Sequence, residues 1–300
     1  MSAPPILYRL LFVLNPISGD IDKSSLEDTI TAFCAERGRT AAFFHTTGKD
    51  DLRRLQRHLR EHSYDAVFAA GGDGTVSLVA EAVSETELPL GIIPLGSGNG
   101  LSKDLGIPQD QQEALRLIWD HQVRAIDTLR VGSTFCAHLA DLGFNALVVE
   151  RFCSGDTRGP GAYVRIAMQE YLGYEPAVYR IITDQETYEG AAFMVTVANA
   201  NTFGSNVVIN PDSRLDDGEF EICLIEPFPG TAALGILYQL YTDAFDESVY
   251  TRRLRCRQAT IEVPGQERVL VQVDGEPEQA ALPLRITMQP RSLRVLLPLG

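Results

Sequence analysis

Short apolar runs alternate with amphipathic segments through the first third of the chain. Residues 7–14, 40–45, 65–70 and 88–95 are apolar stretches too short for helices and bounded by turn residues, the mark of buried strands. Helical periods lie between them. Ser24-x-x-Glu27 is a capping box that opens a helix closing near Gly38, and residues 50–62 read as a second helix. Behind the third run, Val76, Val79, Ala80 and Val83 recur at helical spacing. The alternation β-α-β-α-β-α-β predicts an α/β fold with a doubly wound sheet. Residues 109–121 read as a further helix. From there the period changes, with β-rich segments at 125–132, 134–144, 177–184, 190–200, 217–226, 258–263, 268–274 and 284–297. Two helices, at 161–173 and 230–245, and a loop at 153–161 interrupt them. The expectation is an α/β domain over 1–124 followed by a β-rich, mainly antiparallel sandwich over 125–300, whose last strand could return to the first domain.

Two of the apolar runs end in glycine loops. The first is Gly71-Gly72-Asp73-Gly74-Thr75 and the second Gly96-Ser97-Gly98-Asn99-Gly100. In a parallel sheet both junctions fall on the C-terminal edge, where open α/β sheets bind ligands. Glycines tolerate positive φ and let backbone N–H groups approach an anion, while the helix beginning near Thr75 directs its free amides to the same place. Asp73 in such a loop repels phosphate unless it holds Mg²⁺, directly or through water, or engages a sugar or substrate hydroxyl. The plain alternative is that the glycines only make turns.

Composition narrows the setting. A net charge of −14 over 300 residues argues against nucleic acid as a partner and against wholesale docking on an anionic membrane. No apolar run is long enough to span a bilayer, and the N-terminal stretch lacks the features of a signal peptide. The five cysteines (34, 136, 153, 223, 256) never form CxxC, which argues for a reducing compartment and against zinc or a disulfide frame. A cytoplasmic protein is the expectation. Two basic clusters stand against the average: Arg53, Arg54, Arg57 and Arg60 with His58 and His62, and the alternating Arg253, Arg255 and Arg257. They read as solvated faces or as patches facing a membrane or phosphate.

The pair of motifs GGDGT and PLGSGNG resembles the catalytic domain of the diacylglycerol kinase and sphingosine kinase family of lipid kinases. NAD kinases and phosphofructokinases share the first motif and imply the same nucleotide fold. The resemblance implies ATP and Mg²⁺ as cofactors, with Gly71, Gly72, Gly74, Thr75, Gly96, Ser97, Gly98 and Asn99 cradling the nucleotide. Asn15, Pro16, Ser18 and Gly19 match a further phosphate-side loop, and Thr46 a nucleotide-contacting position. Val273-Asp274-Gly275-Glu276 is similar to the family's Asp-Gly-Glu motif. There Glu276 would be the general base and Asp274 an orienting or metal-linked partner, although the residues alone read as a hairpin turn. Asp216 and Asp217, in another such turn, match a region that holds a structural metal in some members, and Asp73 would serve the catalytic metal. Asp141 falls near an acidic contact that sphingosine kinases make to the lipid amine.

One departure stands out. Many bacterial diacylglycerol kinases carry an aspartate where this chain has Gly100. The reading that follows is an ATP-dependent lipid kinase acting on a hydroxyl of a membrane lipid, of diacylglycerol or sphingoid-base type. It would work in a cleft with Asp73 on one wall and Glu276 on the other. It would touch the membrane surface transiently, as a peripheral cytoplasmic enzyme, with edge strands free to form a homodimer. The alternatives are an NAD kinase-like small-molecule kinase and a catalytically impaired nucleotide- or lipid-binding protein.

Overall fold

The computed structural model describes residues 6–15, 23–155, 160–203 and 207–299. The chain divides into two compact units, one of Met1–Ile126 with Arg291–Gly300 and one of Asp127–Pro290.

The first unit follows the apolar pattern closely. Its elements are β1 (Arg9–Leu14), α1 (Lys23–Ala35), β2 (Thr40–His45), α2 (Asp51–Glu61), β3 (Ala66–Gly71), α3 (Asp73–Val83), β4 (Leu90–Pro94), α4 (Gly100–Asp104) and α5 (Gln111–Leu115). The strands run parallel in the order β2-β1-β3-β4. Continuous apolar runs are what a parallel sheet needs, since helices cover both its faces. Phe12, Phe43 and Phe68 share one cross-strand row, and the rings of Phe12 and Phe68 stack 5.0 Å apart. The chain reverses its direction of strand addition between β1 and β3, so the first glycine loop leaves the sheet at this switch point. Residues 109–121 depart from the single helix expected. Asp110 caps α5 by accepting from the amides of Gln112 and Glu113, and the helix gives way to a 3₁₀ turn over Arg116–Ile118.

The second unit is a sandwich. It holds β5 (Gln122–Val131, whose first residues belong to the first unit), β6 (Thr134–Cys136), β7 (Leu139–Gly143), α6 (Phe144–Ser154), α7 (Pro160–Tyr171), β8 (Ala177–Thr183), β9 (Thr187–Ala192) and β10 (Met194–Ala198). After these come β11 (Phe220–Ile225), α8 (Ala233–Tyr241), β12 (Thr251–Cys256), β13 (Gln258–Glu262), β14 (Arg268–Val273), β15 (Glu276–Ala281) and β16 (Leu284–Leu297). One sheet is antiparallel in the order β12-β11-β10-β7-β14-β15. Facing it are β8, β9, β13 and the first part of β16. The second part of β16 belongs to the first unit, where Val295 pairs with Leu90. Val195, Val197, Ile222, Val271 and Val273 of the first sheet share a buried core with Ile181, Ile261 and Ile286 of the second.

Three features of this unit were not in the pattern. The segment 134–144 is two strands, and α6 follows directly, because Gly143 takes φ +82° and turns the chain sharply from strand to helix. The adjacent valines of α6 disguise its period as strand. Strands β12 and β15 are rich in charged or small residues and lack an apolar run to announce them. Among the described residues no helix is long and apolar enough to cross a membrane.

The phenylalanine row makes a direct test of the first unit. Phe68→Ala removes a fully buried ring and is expected to lower unfolding free energy by about 3–5 kcal/mol, read from urea midpoints. A loss below ~1 kcal/mol would show that the stack does not hold this sheet together.

Candidate active-site elements

The two glycine loops are bound to each other by one carboxylate. Asp73 Oδ2 accepts from the amide of Asn99 at 2.9 Å and Oδ1 from that of Gly100 at 2.8 Å. Gly100 therefore contributes a backbone donor. Asn99, at φ +55°, closes its own loop: Oδ1 accepts from Gly96 N and Nδ2 donates to Gly96 O.

The glycines are there for proximity. A Cβ on Gly96 would sit 2.6 Å from Gly72 Cα, one on Gly98 2.6 Å from Asp73 Oδ2, and one on Gly71 2.5 Å from Thr75 Oγ1. The expectation that Gly71, Gly72 and Gly74 exploit positive φ is corrected, since none of them adopts it and Gly72 has φ −87°. At Gly71 the constraint is the Thr75 side chain, and at Gly96 the close approach of the Gly72 backbone.

Helix α3 starts at Asp73, so the amides of Asp73 and Gly74 have no intrahelical acceptor. They are donors available to an anion, with the helix dipole behind them. Thr75 is buried and Ser97 exposed. Thr46 is buried just beyond β2, its amide bonded to Leu14 O, and Asn15 is half-buried at the end of β1. Pro16, Ser18 and Gly19 lie outside the described residues.

In the second unit, Asp274 and Gly275 have φ +48° and +92°, the geometry of a type I′ hairpin turn between β14 and β15. The Asp274 carboxylate points inward and accepts from three consecutive amides, Ala137 (2.8 Å), His138 (3.0 Å) and Leu139 (3.2 Å). Glu276, two residues on, is exposed. The turn thus buries one acid as an anchor and presents the other to solvent.

The Asp-Asp-Gly turn is held differently. Asp217 accepts from Glu219 N and pairs with Arg255 at 2.5 Å, Asp216 lies 3.4 Å from Arg214, and buried Asp127 accepts from Gly218 N. Arg253 donates to Pro211 O and Asn210 Oδ1 and pairs with Asp246. These arginines of β12 neutralise the acids around the turn. On α2, Arg54 pairs with Asp51. Among the described residues, no group of three or more histidines, cysteines and acids is placed to hold a metal.

A polar row crosses the helix-facing side of the second unit, and of its members only Asp141 was singled out in the sequence, as a contact to a lipid amine. Asp141 on β7 is fully buried, opposite Thr196 of β10 and Gln272 of β14. Its Oδ1 accepts from the Thr196 hydroxyl and its Oδ2 from Asn145 Nδ2 (2.6 Å) and Gln272 Nε2. The Tyr163 hydroxyl donates in turn to Asn145. Gln272 uses its Oε1 to accept from Gly275 N at 2.7 Å. For Thr196 and Gln272, polar residues in otherwise apolar strands were the signal in the sequence.

Burial raises the Asp141 pKa from the ordinary 3.8 to about 6, against the pull of its three side-chain donors. Below the unfolded-state value the group is protonated in both states, and its contribution is fully present. That contribution is lost as pH rises through the folded value. Asp141→Asn should therefore gain on the wild type between ~pH 4 and ~pH 7, by up to about 3 kcal/mol. Urea midpoints across that range check it, and a constant difference would show that the buried carboxyl does not titrate in this way.

Comparison with known proteins agrees with this division. Residues 9–131 match the diacylglycerol kinase catalytic domain, and residues 140–297 match the YegS C-terminal NAD kinase beta sandwich-like domain. The chain is 32% identical over 264 residues to a "Probable lipid kinase YegS-like" of Stenotrophomonas maltophilia (strain K279a), covering 83% of this chain and 84% of that one. It is 30% identical over 282 residues to a protein of the same description from Pseudomonas aeruginosa (strain PAO1), covering 91% of each. In fold it is similar to the crystal structure of a diacylglycerol kinase from Bacillus anthracis str. Sterne, with TM-score 0.76, 21% identity and 97% of each chain covered. With both domains matched in sequence, in the order in which they occur, the chain belongs to the YegS-like family of lipid kinases.

Proposed function

We propose that this kinase transfers the γ-phosphoryl group of ATP to a hydroxyl of a membrane lipid, with Glu276 as general base. The observation that carries the nucleotide part is the Asp73 clamp, which brings the two glycine loops together beside the free amides of α3. Those amides would hold phosphate oxygens, and the missing side chains at Gly96 and Gly98 let the second loop pack against Gly72 and Asp73 beside them. The residues fit Mg²⁺ that is held largely by the nucleotide's own phosphates. Asp73 has one lone pair left on each oxygen, whereas Asp216 and Asp217 already have arginine partners. When bound, Mg²⁺ supplies charge neutralisation for the transferred group.

The acceptor chemistry falls to the second unit. As the lipid oxygen bonds to the γ-phosphorus, its proton passes to the Glu276 carboxylate and ADP leaves. Glu276 suits that role because it is exposed on a turn whose other acid is fixed by three amides.

The same unit presents an apolar surface. Val164, Met168 and Leu172 follow helical spacing along α7 and just beyond it, and Leu234, Leu237, Tyr238 and Tyr241 along α8, all exposed. The segments adjoin, with Tyr171 stacked against Phe228 at 6.2 Å. Residues 227–242 carry no charge. Tyrosines and leucines without acids suit the lipid–water interface, where a peripheral kinase meets its substrate.

Two measurements test the proposal. Labelled ATP is offered with dioleoylglycerol, dioleoylphosphatidylglycerol or sphingosine in mixed micelles, and with NAD as a soluble acceptor. A labelled lipid is expected, and Glu276→Gln should lower kcat by at least ~10²-fold with ATP binding little changed. Label on NAD alone would overturn the lipid assignment. In the second, Leu234→Asp with Leu237→Asp should reduce cosedimentation with phosphatidylcholine vesicles several-fold while leaving the thermal transition in place. Undiminished cosedimentation would remove this surface from the membrane contact.

A further inference from the structure

We propose that Asp141, acting through Gln272, is a positioning residue for the turn that presents Glu276. The inference rests on the reading of Glu276 as the base and adds the machinery that fixes it in place.

The turn has two independent anchors. One is the Asp274 carboxylate on the amides of residues 137–139. It fixes the first residue of the turn, and the Val273–Glu276 pair closes the hairpin behind it. The second residue is held by the other anchor, the bond from Gly275 N to Gln272 Oε1 at 2.7 Å, with Cys153 Sγ 3.8 Å from the Gly275 carbonyl. The second anchor is only as good as the orientation of one side-chain amide. A glutamine amide can rotate by half a turn and exchange its oxygen and nitrogen, and with the nitrogen facing Gly275 N two donors would oppose each other.

Asp141 removes that freedom. It is the cross-strand neighbour of Gln272 and fully buried, and its Oδ2 accepts from Gln272 Nε2. An ionised carboxylate accepts only, so it demands the amide nitrogen and leaves the amide oxygen for Gly275. The carboxylate itself is aimed by Thr196 from the other neighbouring strand and by Asn145 from α6, and Asn145 is held by Tyr163 of α7. The row Thr196–Asp141–Gln272 thus runs across three strands and ends on the backbone of the turn. The opposite face of the same strands is apolar core, with Ala140, Leu142, Val195, Val197, Val271 and Val273. A polar row this deep is better matched to setting a geometry than to stabilising a sheet that already has a core.

Asp141→Asn is the informative variant. It preserves shape and an acceptor, but its own amide can turn either way, so Gln272 no longer has a preferred sense. The assay uses ATP with whichever of dioleoylglycerol, dioleoylphosphatidylglycerol or sphingosine is labelled by the wild type. Asp141→Asn should lower kcat about 10- to 100-fold with the KM for ATP unchanged, as a displaced catalytic group does. Gln272→Ala should do the same, and the double variant should be no worse than Gln272→Ala alone. In a Glu276→Gln background, Asp141→Asn should cause no further loss.

The outcomes separate. Full kcat in Asp141→Asn, with Glu276→Gln crippled, would overturn the positioning role and leave the base standing. Losses that multiply when Asp141→Asn and Glu276→Gln are combined would show a merely structural role, since a reduced active fraction scales every background alike. An active Glu276→Gln, or no labelled lipid at all, would remove the base reading and this inference together.

Discussion

A loop amide outside helices and strands needs an acceptor, and this chain repeatedly supplies a short carboxylate that ties the loop to the scaffold. Asp65 accepts from the amides of Tyr8 and Arg9 at the entry to β1, and Asp51 from those of Thr47 and Gly48 beyond β2. Asp73 joins the two glycine loops, Asp127 holds Gly218, and Asp274 gathers three amides after β6. Loop amides lack the partners that helices and strands supply, so a short acid that reaches them fixes the loop and satisfies itself at once. Every candidate functional element leans on one of these clamps. Among the clamped acids, Asp73 gives both of its oxygens to backbone amides of the second glycine loop.

This shows why the sequence was legible where it was. Apolar runs of strand length ending in paired glycines can hardly be read otherwise, and β1 to β4 lie within a residue or two of their expected places. The glycines were located correctly for a reason that differs from the one expected. Loop-to-loop contact at Gly96 requires hydrogen at Cα as strictly as positive φ does, and a one-dimensional pattern cannot tell the two apart. Positions where backbone conformation governs, Asp274 and Gly275, did read as a turn.

What escaped the sequence shares a cause. Strand β12 was visible only as alternating arginines, and the acids that pair with Arg255 lie on the turn before β11 and on β11 itself. Those arginines read as a solvated face or as a patch for phosphate or membrane, and the fold matches them with carboxylates. Likewise Asp141, Asn145, Thr196 and Gln272 are separated by up to 131 residues and are united only by strand register and one helix turn. Register is a property of pairing, and no local window contains it.

The clamps also differ in what their donors permit. Backbone amides, such as those that meet Asp73 and Asp274, have a fixed direction set by the chain. The donors on Asp141 are a hydroxyl and two side-chain amides, all of which can rotate. Rotatable donors solvate a buried charge less firmly, which accords with a carboxyl pushed up to about 6 rather than held down. They also take their own orientation from the charge they serve. In the first kind of clamp the backbone dictates where the acid sits; in the second the acid dictates where its neighbours point. The turn between β14 and β15 uses both, one to fix Asp274 against the sheet and one to hold the amide of Gly275 beside it.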